Sequence, residues 1–256
     1  MNNSTLTFLG TGTSTGVPQI RCSCHVCTST DPRDKRLRSS VLLQLDNKKN
    51  LLIDCGPDFR EQILRLGSPD IDAVLLTHSH YDHVGGMDDL RPYCYEHRGL
   101  DVFCSPDVAY DLRTRMPYCF NALHPDRVPT FNIHELQDAP FLICGHIIQP
   151  LKVMHGELPI LGYRIGDFAY ITDCKTMPHD TLEKLKGVRT LVINALRIKD
   201  HPTHMNLSDA LDVINDVKPH KAYLTHLSHD MGLHEEVSQK LPQGVEIAVD
   251  GMSIKI

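Results

Sequence analysis

The sequence predicts an α/β fold, a sandwich of strands and helices that forms a single domain over residues 1–256. Two observations indicate this class. Short apolar runs of strand length recur along the whole chain, and segments with helical periodicity lie between them. No internal repeat, low-complexity tract or linker rich in Pro and Gly divides the chain. Its 256 residues, of which 41% are hydrophobic, suffice for a sizeable packed core.

Nine apolar runs have the length and composition of buried β-strands. Most are rich in Val, Ile and Leu, which fit the pleated surface of a sheet. In chain order they cover residues 5–9, 41–45, 51–53, 73–76, 147–153, 168–171, 191–193, 222–224 and 245–249. Because these strands are spread over the whole length with helices between them, they favour an α/β sandwich.

The clearest helical segment starts after Asn206, whose side chain is placed to cap the first turn. Four apolar residues then recur at positions i, i+3, i+4 and i+7 on one helix face: Leu207, Ala210, Leu211 and Ile214. Three more helices are predicted, at about 58–66, 106–115 and 178–186.

The composition disfavours several classes of function. The formal net charge of -6 argues against a nucleic-acid partner, because such proteins usually carry a net basic face. A small anionic substrate is compatible with this negative net charge, since bound metal ions can supply local positive charge. No signal peptide and no run of about 18 apolar residues are visible, so we expect a cytoplasmic protein without a membrane partner.

Cysteine and histidine usage indicates metal binding. The chain has nine cysteines, an odd number, and 16 histidines. Cys22, Cys24 and Cys27 lie close together in sequence, which suits reduced thiols around a metal better than a disulfide framework. Many histidines lie beside Asp or Cys, which are also common ligands of transition metals.

One segment concentrates four candidate ligands. The apolar run from Ala73 leads directly into Thr-His78-Ser-His80-Tyr-Asp82-His83, so a buried strand is followed by a loop of three imidazoles and a carboxylate. Imidazoles suit zinc and similar metals, and the carboxylate helps to balance the charge. The spacing predicts a site for two adjacent ions. An incidental polar loop is the alternative, which we disfavour because chance assembly of this motif at a strand end is rare.

This motif resembles that of the metallo-β-lactamase superfamily, whose members carry it in a loop after a central strand of a four-layer αβ/βα sandwich. The resemblance implies three further ligands, each at the end of an apolar run: His155, Asp173 and His226. One ion would be held by His78, His80 and His155, and the other by Asp82, His83 and His226, with Asp173 bridging them. Asp54 would accept a hydrogen bond from the second nitrogen of a ligating imidazole and so orient that ring. The alternative is that Asp54 is a residue of a surface turn.

A binuclear site of this kind indicates a hydrolytic mechanism. Two ions roughly 3.5 to 4 Å apart can bind a bridging water and lower its pKa, so that hydroxide is available near neutral pH. The same pair can hold an oxygen of the group under attack. The leaving group then needs an acid, ideally one that titrates near neutral pH.

The cysteine cluster needs a fourth ligand to complete a structural zinc site. His25 lies within the cluster, but its neighbours in the chain restrict its reach. His229 is the better candidate, because it follows His226 by three residues and one loop could then serve both metal centres. Reactive or incidental thiols are the alternative interpretation.

Four motifs together narrow the resemblance. They are Gly10-Thr-Gly-Thr-Ser-Thr-Gly-Val-Pro18, the three clustered cysteines, the loop from His78 to His83, and Leu224-Thr-His-Leu-Ser-His229. In this combination the chain resembles the PhnP-type phosphodiesterases, which act on cyclic ribose phosphates. The resemblance implies hydrolysis of a phosphodiester at two zinc or manganese ions, a structural zinc held by three cysteines and a histidine, and a homodimer.

The resemblance also implies a histidine that acts near the leaving group. The matching position is His204, in a loop directly before the capped helix. It would be a catalytic residue together with Asp82 and Asp173. His201 is the rival for this role, and a solvated loop histidine is the third interpretation.

Two further segments are interpreted from their spacing and periodicity. The early glycines lack the spacing of a dinucleotide-binding loop, so we expect a tight loop packed beside the metals. The stretch from about residue 91 to 135 matches none of these motifs and has weak periodicity. We predict that it is an inserted segment near the active site, and irregular structure covering one side of the core is the alternative.

The leading functional hypothesis is a metal-dependent phosphodiesterase whose substrate is a small cyclic or ribose phosphodiester. A ribonuclease Z-like nuclease is disfavoured by the negative charge and by the lack of a long basic arm rich in Gly and Pro. A glyoxalase-type thioesterase would share the histidine motif but not the cysteine cluster. A non-catalytic, metal-stabilised binding module would be marked by the loss of a ligand, and none is lost.

Overall fold

The computed structural model describes residues 4–97, 99–120 and 128–256, and within them the strands form two mixed sheets. The first sheet contains β1 (Thr5–Gly10), β2 (Ser40–Gln44), β3 (Asn50–Ile53), β4 (Ala73–Leu75), β5 (Leu100–Cys104), β6 (Phe131–Glu135) and β14 (Ser253–Lys255). The second contains β7 (Phe141–Ile143), β8 (His146–His155), β9 (Leu158–Ile165), β10 (Phe168–Ile171), β11 (Thr190–Asn194), β12 (Lys221–Thr225) and β13 (Val245–Ile247).

The strand order is β14-β1-β2-β3-β4-β5-β6 in the first sheet and β13-β12-β11-β10-β9-β8-β7 in the second. The pairs from β3 to β6 are parallel, as are those from β10 to β13. The remaining neighbours are antiparallel. Parallel strands end at the same edge of a sheet, so the loops that follow them are brought together.

Helices cover the outer faces of the two sheets. They are α1 (Phe59–Arg65), α2 (Tyr81–Val84), α3 (Arg91–His97), α4 (Pro106–Arg115), α5 (His179–Leu185), α6 (Leu207–Val217) and α7 (His234–Ser238). Buried residues of α1 to α4 pack against the first sheet, and those of α5 to α7 pack against the second. The layers therefore run helix, sheet, sheet, helix, which confirms the predicted αβ/βα sandwich. None of the described helices is both long and apolar enough to cross a membrane.

Alternation along the strands separates three apolar cores. In β2, Val41 and Leu43 face the opposite sheet, whereas Leu42 between them faces the helices and packs in the cluster that contains Phe59. Successive side chains of a strand point to opposite faces, so a strand covered on both sides must be apolar at every position. This explains why continuous apolar runs predicted these strands.

All nine predicted strands and all four predicted helices are confirmed, to within a few residues at their ends. The cap at Asn206 is also confirmed: its side chain accepts from the Asp209 backbone N–H at 2.8 Å, and the Asp209 carboxylate accepts in return from the Asn206 N–H. The sequence did not predict β5, β6, β7, β9 or β14, nor α2, α3 or α7.

The stretch from about 91 to 135 contributes regular structure to the first sheet. It supplies α3, β5, α4 and the edge strand β6. Through α4 it also contacts the loop that carries His80, because the Arg115 guanidinium donates to the Ser79 carbonyl at 2.6 Å. Residues 121–127 of this stretch lie outside the described residues.

Candidate metal centres and active site

The predicted site residues lie at one edge of the sandwich, where strands of both sheets end. Asp54 follows β3, His78 lies shortly after β4, and His155 is the last residue of β8. Asp173 follows β10, and His226 follows β12 directly. Asp54, Asp173 and His226 adopt left-handed backbone conformations, with φ of 63°, 56° and 57°. Few residues other than glycine adopt this conformation, although Asp and His do so more often than most, and such residues concentrate at functional sites.

Asp173 is the centre of this cluster and is almost fully buried. Its Oδ1 lies 3.3 Å from His83 Nε2, and its Oδ2 lies 3.2 Å from His226 Nε2. The same Oδ2 is 3.2 Å from His204 Nε2 and 3.8 Å from His78 Nε2. One carboxylate thus faces four imidazoles from three separate parts of the chain, which is the position expected of a bridging ligand.

One half of the site lies around Asp82. Its Oδ2 is 3.2 Å from His83 Nε2 and 3.5 Å from His226 Nε2. One potential ligand atom from each of Asp82, His83, Asp173 and His226 lies within 4.8 Å of the others, and all four residues are buried. The structure therefore brings together the set that the sequence assigned to the second ion.

The other half contains His78, His80 and His155. His78 Nε2 and His80 Nδ1 are 3.0 Å apart, and the rings of His80 and His155 are centred 5.1 Å apart. The tight ligand group on this side consists of His155, Asp173 and His204. The three predicted imidazoles are thus neighbours, and His204 joins them at Asp173.

Asp54 lies beneath the site and orients two of these imidazoles, that of His83 directly and that of His78 through Thr77. It is fully buried and lies 2.7 Å from His83 Nδ1, which can donate to it. The Thr77 hydroxyl donates to Asp54 at 2.9 Å and lies 3.0 Å from His78 Nδ1. With a proton on Nδ1 of each ring in these hydrogen bonds, each Nε2 faces the site, where it can bind a cation.

Thr77 borders the candidate site, and none of the sequence motifs predicted it. Its backbone N–H also donates to Asp54, at 2.8 Å. A hydroxyl directly before the first histidine of the motif is the signal that could have identified it. His155 is oriented in a similar way, because its Nδ1 lies 2.9 Å from the carbonyl oxygens of Asp173 and Thr203.

The protonation states suit a cation at this position. Burial lowers the pKa of His78 well below its ordinary value, so this ring is neutral and able to bind a metal. Burial would raise the pKa of Asp173, but His226 and His83 hold it well below its ordinary value. Burial would likewise lower the pKa of His83, but the surrounding carboxylates, led by Asp173, raise it well above its usual value. The carboxylates therefore favour positive charge between them.

Buried polar atoms provide the test of whether these residues fit metal ions. His83 Nε2 and both ring nitrogens of His226 have no hydrogen-bond partner among the described residues, although carboxylate oxygens lie close by. An unpartnered buried nitrogen costs about 1–3 kcal/mol, and such atoms are rare in native proteins. Coordination of a divalent ion would satisfy the lone pairs that face Asp82 and Asp173. The donor set therefore fits metal ions.

His204 and His201 occupy different positions relative to Asp173. The His204 ring stacks on His226 with centroids 5.0 Å apart and directs its Nε2 at the Asp173 carboxylate. His201 contacts the site through His204, with 3.2 Å between their Nδ1 atoms. Burial lowers the pKa of His204 to about 4. Of the two rivals, His204 is the one that borders the central carboxylate.

The second predicted centre is formed by Cys22, Cys24, Cys27 and His229, whose ligand atoms lie within 4.8 Å of one another. His229 Nδ1 is 3.5 Å from Cys22 Sγ and 3.3 Å from Cys24 Sγ. The Cys27 backbone N–H donates to Cys24 Sγ and lowers the pKa of that thiol to about 6. His25 is exposed and lies outside this group. Three sulfurs and one imidazole nitrogen match the ligand set of a structural zinc.

The glycine-containing loop after β1 packs beside both centres. The backbones of Thr11 and Thr13 pair with Leu227, the residue after His226, at 2.9 and 3.0 Å. A Cβ atom at Gly12 would lie 2.9 Å from the Cβ and the carbonyl oxygen of Arg36, so no larger residue fits there without movement. The glycine allows this loop to pack closely against the chain at Arg36, as expected of a tight loop.

Replacing Cys24 by alanine is expected to remove one metal ion per chain and to destabilise the protein by several kcal/mol, because zinc binding contributes directly to folding. Metal analysis and thermal unfolding would measure both effects. Cys144→Ala is the matched control, since this partly buried cysteine lies between β7 and β8, outside the sulfur cluster. Equal metal content in Cys24→Ala and the parent protein would contradict the assignment.

Comparisons with known proteins agree with this architecture. Residues 49–227 match the family model of the Beta-lactamase superfamily domain. A crystal structure described as a new diphosphatase from the PhnP family aligns with a TM-score of 0.92 and 40% identity, covering 99% of this chain and 98% of that one.

Two sequence relatives carry other names. The chain is 45% identical to an octanoyltransferase of Porphyromonas gingivalis over 247 residues, which is 96% of this chain but 50% of that protein. It therefore spans about half the length of that relative. It is 37% identical to the coenzyme PQQ synthesis protein B of Methylorubrum populi over 224 residues, covering 75% of this chain and 73% of that protein.

Proposed function

This chain belongs to the metallo-β-lactamase superfamily, and from that premise we propose that it is a binuclear metal-dependent phosphodiesterase. The observation that carries the proposal is the convergence of imidazoles on the buried Asp173, together with the Asp82 carboxylate beside them. This arrangement provides ligands for two adjacent ions. The second support is the likeness to a PhnP-family diphosphatase, which indicates a phosphate ester as the substrate class.

The proposed ligands divide into two sets that share Asp173. The first set is His78, His80 and His155, and the second is Asp82, His83 and His226. Two bound divalent ions, zinc or manganese, would lower the pKa of a water and polarise a phosphoryl oxygen. Asp54 and Thr77 hold the imidazoles of His78 and His83 with Nε2 towards the site, so the ligands need little rearrangement.

His204 is proposed to donate the proton to the leaving group, with the negative charge of a bound phosphate ester raising its pKa from the low value that burial gives it. It lies at the less buried side of the cluster, with 12% of its side chain exposed, whereas Asp173 beneath it is 2% exposed. A substrate that enters from solvent would therefore meet His204 before it reaches the carboxylates. The Thr203 hydroxyl and the Nδ1 atom of His201 both lie within hydrogen-bond distance of His204 Nδ1. These contacts orient the ring so that Nε2 faces Asp173.

Hydrolysis of an acyl thioester is the second candidate function. The specific observation that favours it is the 45% identity to a protein named octanoyltransferase, although that protein is about twice as long as the aligned region. A binuclear site can attack a carbonyl carbon as well as phosphorus. The thiol-rich centre and the likeness to the diphosphatase favour the phosphate ester.

A substrate panel separates these functions. The protein, loaded with Zn²⁺ or Mn²⁺, would be assayed on bis-p-nitrophenyl phosphate, a 2′,3′-cyclic nucleotide, an octanoyl thioester and a precursor transfer RNA. We expect hydrolysis of the first two, loss of activity after chelation and recovery when the divalent ion is restored. Turnover of the thioester alone would replace the proposal with the second candidate, and turnover of the RNA alone would indicate a nuclease.

The absence of turnover on every substrate would indicate a non-catalytic binding module. Light scattering on the same preparation would test the proposed homodimer. A mass near twice 28.8 kDa is expected for it.

A further inference from the structure

The loop that carries His78 and His80 is held from two sides. On the side of the second sheet, the Tyr163 hydroxyl donates to the Leu76 carbonyl, and the Leu161 N–H donates to the Thr77 carbonyl at 3.0 Å. Both donors belong to β9. These contacts hold the backbone at Leu76 and Thr77, directly before His78. Neither of them involves Ser79 or His80.

The contact on the other side comes from α4. Arg115 Nη1 donates to the Ser79 carbonyl at 2.6 Å, and the Ser79 hydroxyl donates to the Asp111 carboxylate. Asp111 and Arg115 are four residues apart on one helix face and pair with each other at 3.4 Å. Backbone and side chain of Ser79 are therefore both held by one turn of α4.

Ser79 lies between the two proposed ligands, and these differ in their own support. His78 is buried and is held by Thr77, which in turn binds Asp54. His80 is exposed, and the ring hydrogen bond described for it is the 3.0 Å contact with His78. Its carbonyl oxygen accepts from the N–H groups of His83 and Val84 at the start of α2. The backbone of His80 is thus held by α2 on one side and, on the other side, by the contacts at Ser79.

We propose that Asp111 and Arg115 are positioning residues that hold Ser79, and through it His80, in place for a metal ion. The inference rests on the proposed function only in taking His80 as a ligand of one ion. A ligand held in advance loses less conformational freedom on binding, and loss of such supporting contacts typically weakens metal affinity about 10- to 100-fold. This gives the stretch from 91 to 135 a role at the site.

The chain offers a closely matched control on the same helix. Arg113 and Arg115 both lie in the last turn of α4, with 47% and 50% of their side chains exposed. Arg113 pairs with Glu135 at 2.6 Å, on the exposed surface of β6. Alanine at either position removes one cation from the end of the helix, but only Arg115→Ala removes the hydrogen bond to the Ser79 carbonyl.

Competition with a chromophoric chelator for Zn²⁺ measures the affinity of each site ion without any substrate. We expect Arg115→Ala to bind one of the two site ions about 10-fold more weakly, with the second ion, the structural zinc and the melting temperature of the metal-free protein unchanged. Arg113→Ala should match the parent protein. Asp111→Ala should weaken the same ion, and the double variant should lose less than the product of the two single losses, because both residues act through Ser79.

Equal affinities in Arg115→Ala and Arg113→Ala would overturn the inference. So would equal weakening of both ions together with a lower melting temperature, which would indicate general destabilisation. Failure of this inference and failure of the proposed function are distinguishable, because the Zn²⁺ affinity is measured without substrate. A protein that hydrolyses no phosphodiester can still show whether Arg115→Ala weakens Zn²⁺ binding.

Discussion

Asp173→Asn is expected to lower kcat for bis-p-nitrophenyl phosphate by about a thousandfold or more. The carboxylate faces the Nε2 atoms of His83, His226 and His204, so its two oxygens would bridge the two proposed ions. The amide keeps the shape of the side chain but removes its charge, and its nitrogen cannot bind a cation. Loss of one preorganised electrostatic group typically costs a factor of 10² to 10³, and loss of an ion adds to it.

Metal analysis of the same variant serves as the control for this effect. We expect fewer than two ions at the active site, with the ion of the cysteine cluster retained, because Cys22, Cys24 and Cys27 belong to a separate centre. Retention of the thiolate-bound zinc shows that the protein is folded. Parent-level activity in Asp173→Asn would eliminate the bridging role.

His204→Ala is expected to have the second largest effect, and its size should depend on the leaving group. A general acid contributes about 10² to 10⁴ when the leaving group is a poor one. The loss in kcat should therefore reach this range with a 2′,3′-cyclic nucleotide, whose leaving group is a ribose hydroxyl. With bis-p-nitrophenyl phosphate it should be about tenfold or less, because p-nitrophenolate departs without a proton.

His201→Ala is the matched comparison, because His201 contacts the site through His204. We expect a smaller loss in this variant, since Thr203 still lies 3.0 Å from His204 Nδ1. The metal content of both variants should equal that of the parent protein. A loss of one ion in His204→Ala would instead make His204 a metal ligand, as its proximity to Asp173 and His155 permits. An equal loss with both substrates would exclude the role of proton donor.

The part of the fold that the sequence predicted is the part that is buried on both faces. Strands β2, β3, β4 and β10 to β12 each contain three or four consecutive apolar residues, because helices cover one face and the opposite sheet covers the other. The edge strand β6 lacks this signal. Asn132 and His134 point to its exposed face, where both bond to Asp101 on the neighbouring strand. A strand that buries one face only in part has too few apolar residues to be recognised.

The site was more predictable than the structure around it. The candidate ligands are visible in sequence because each lies two residues after a predicted apolar run: His78, His155, Asp173 and His226. The contacts that orient them depend on the tertiary fold. Ser79 meets Asp111 and Arg115 only after α4 has packed on the first sheet, and no spacing in the sequence indicates this contact across more than 30 residues.

Anomalous X-ray scattering from crystals of the metal-loaded protein tests the central claim most directly. We predict two ions roughly 3.5 to 4 Å apart on either side of Asp173, each within about 2.2 Å of its nearest imidazole nitrogens, and a third ion at the cysteine cluster. A single ion at the strand ends, or two ions with the Asp173 carboxylate turned away from both, would contradict the binuclear site on which the proposed hydrolysis depends.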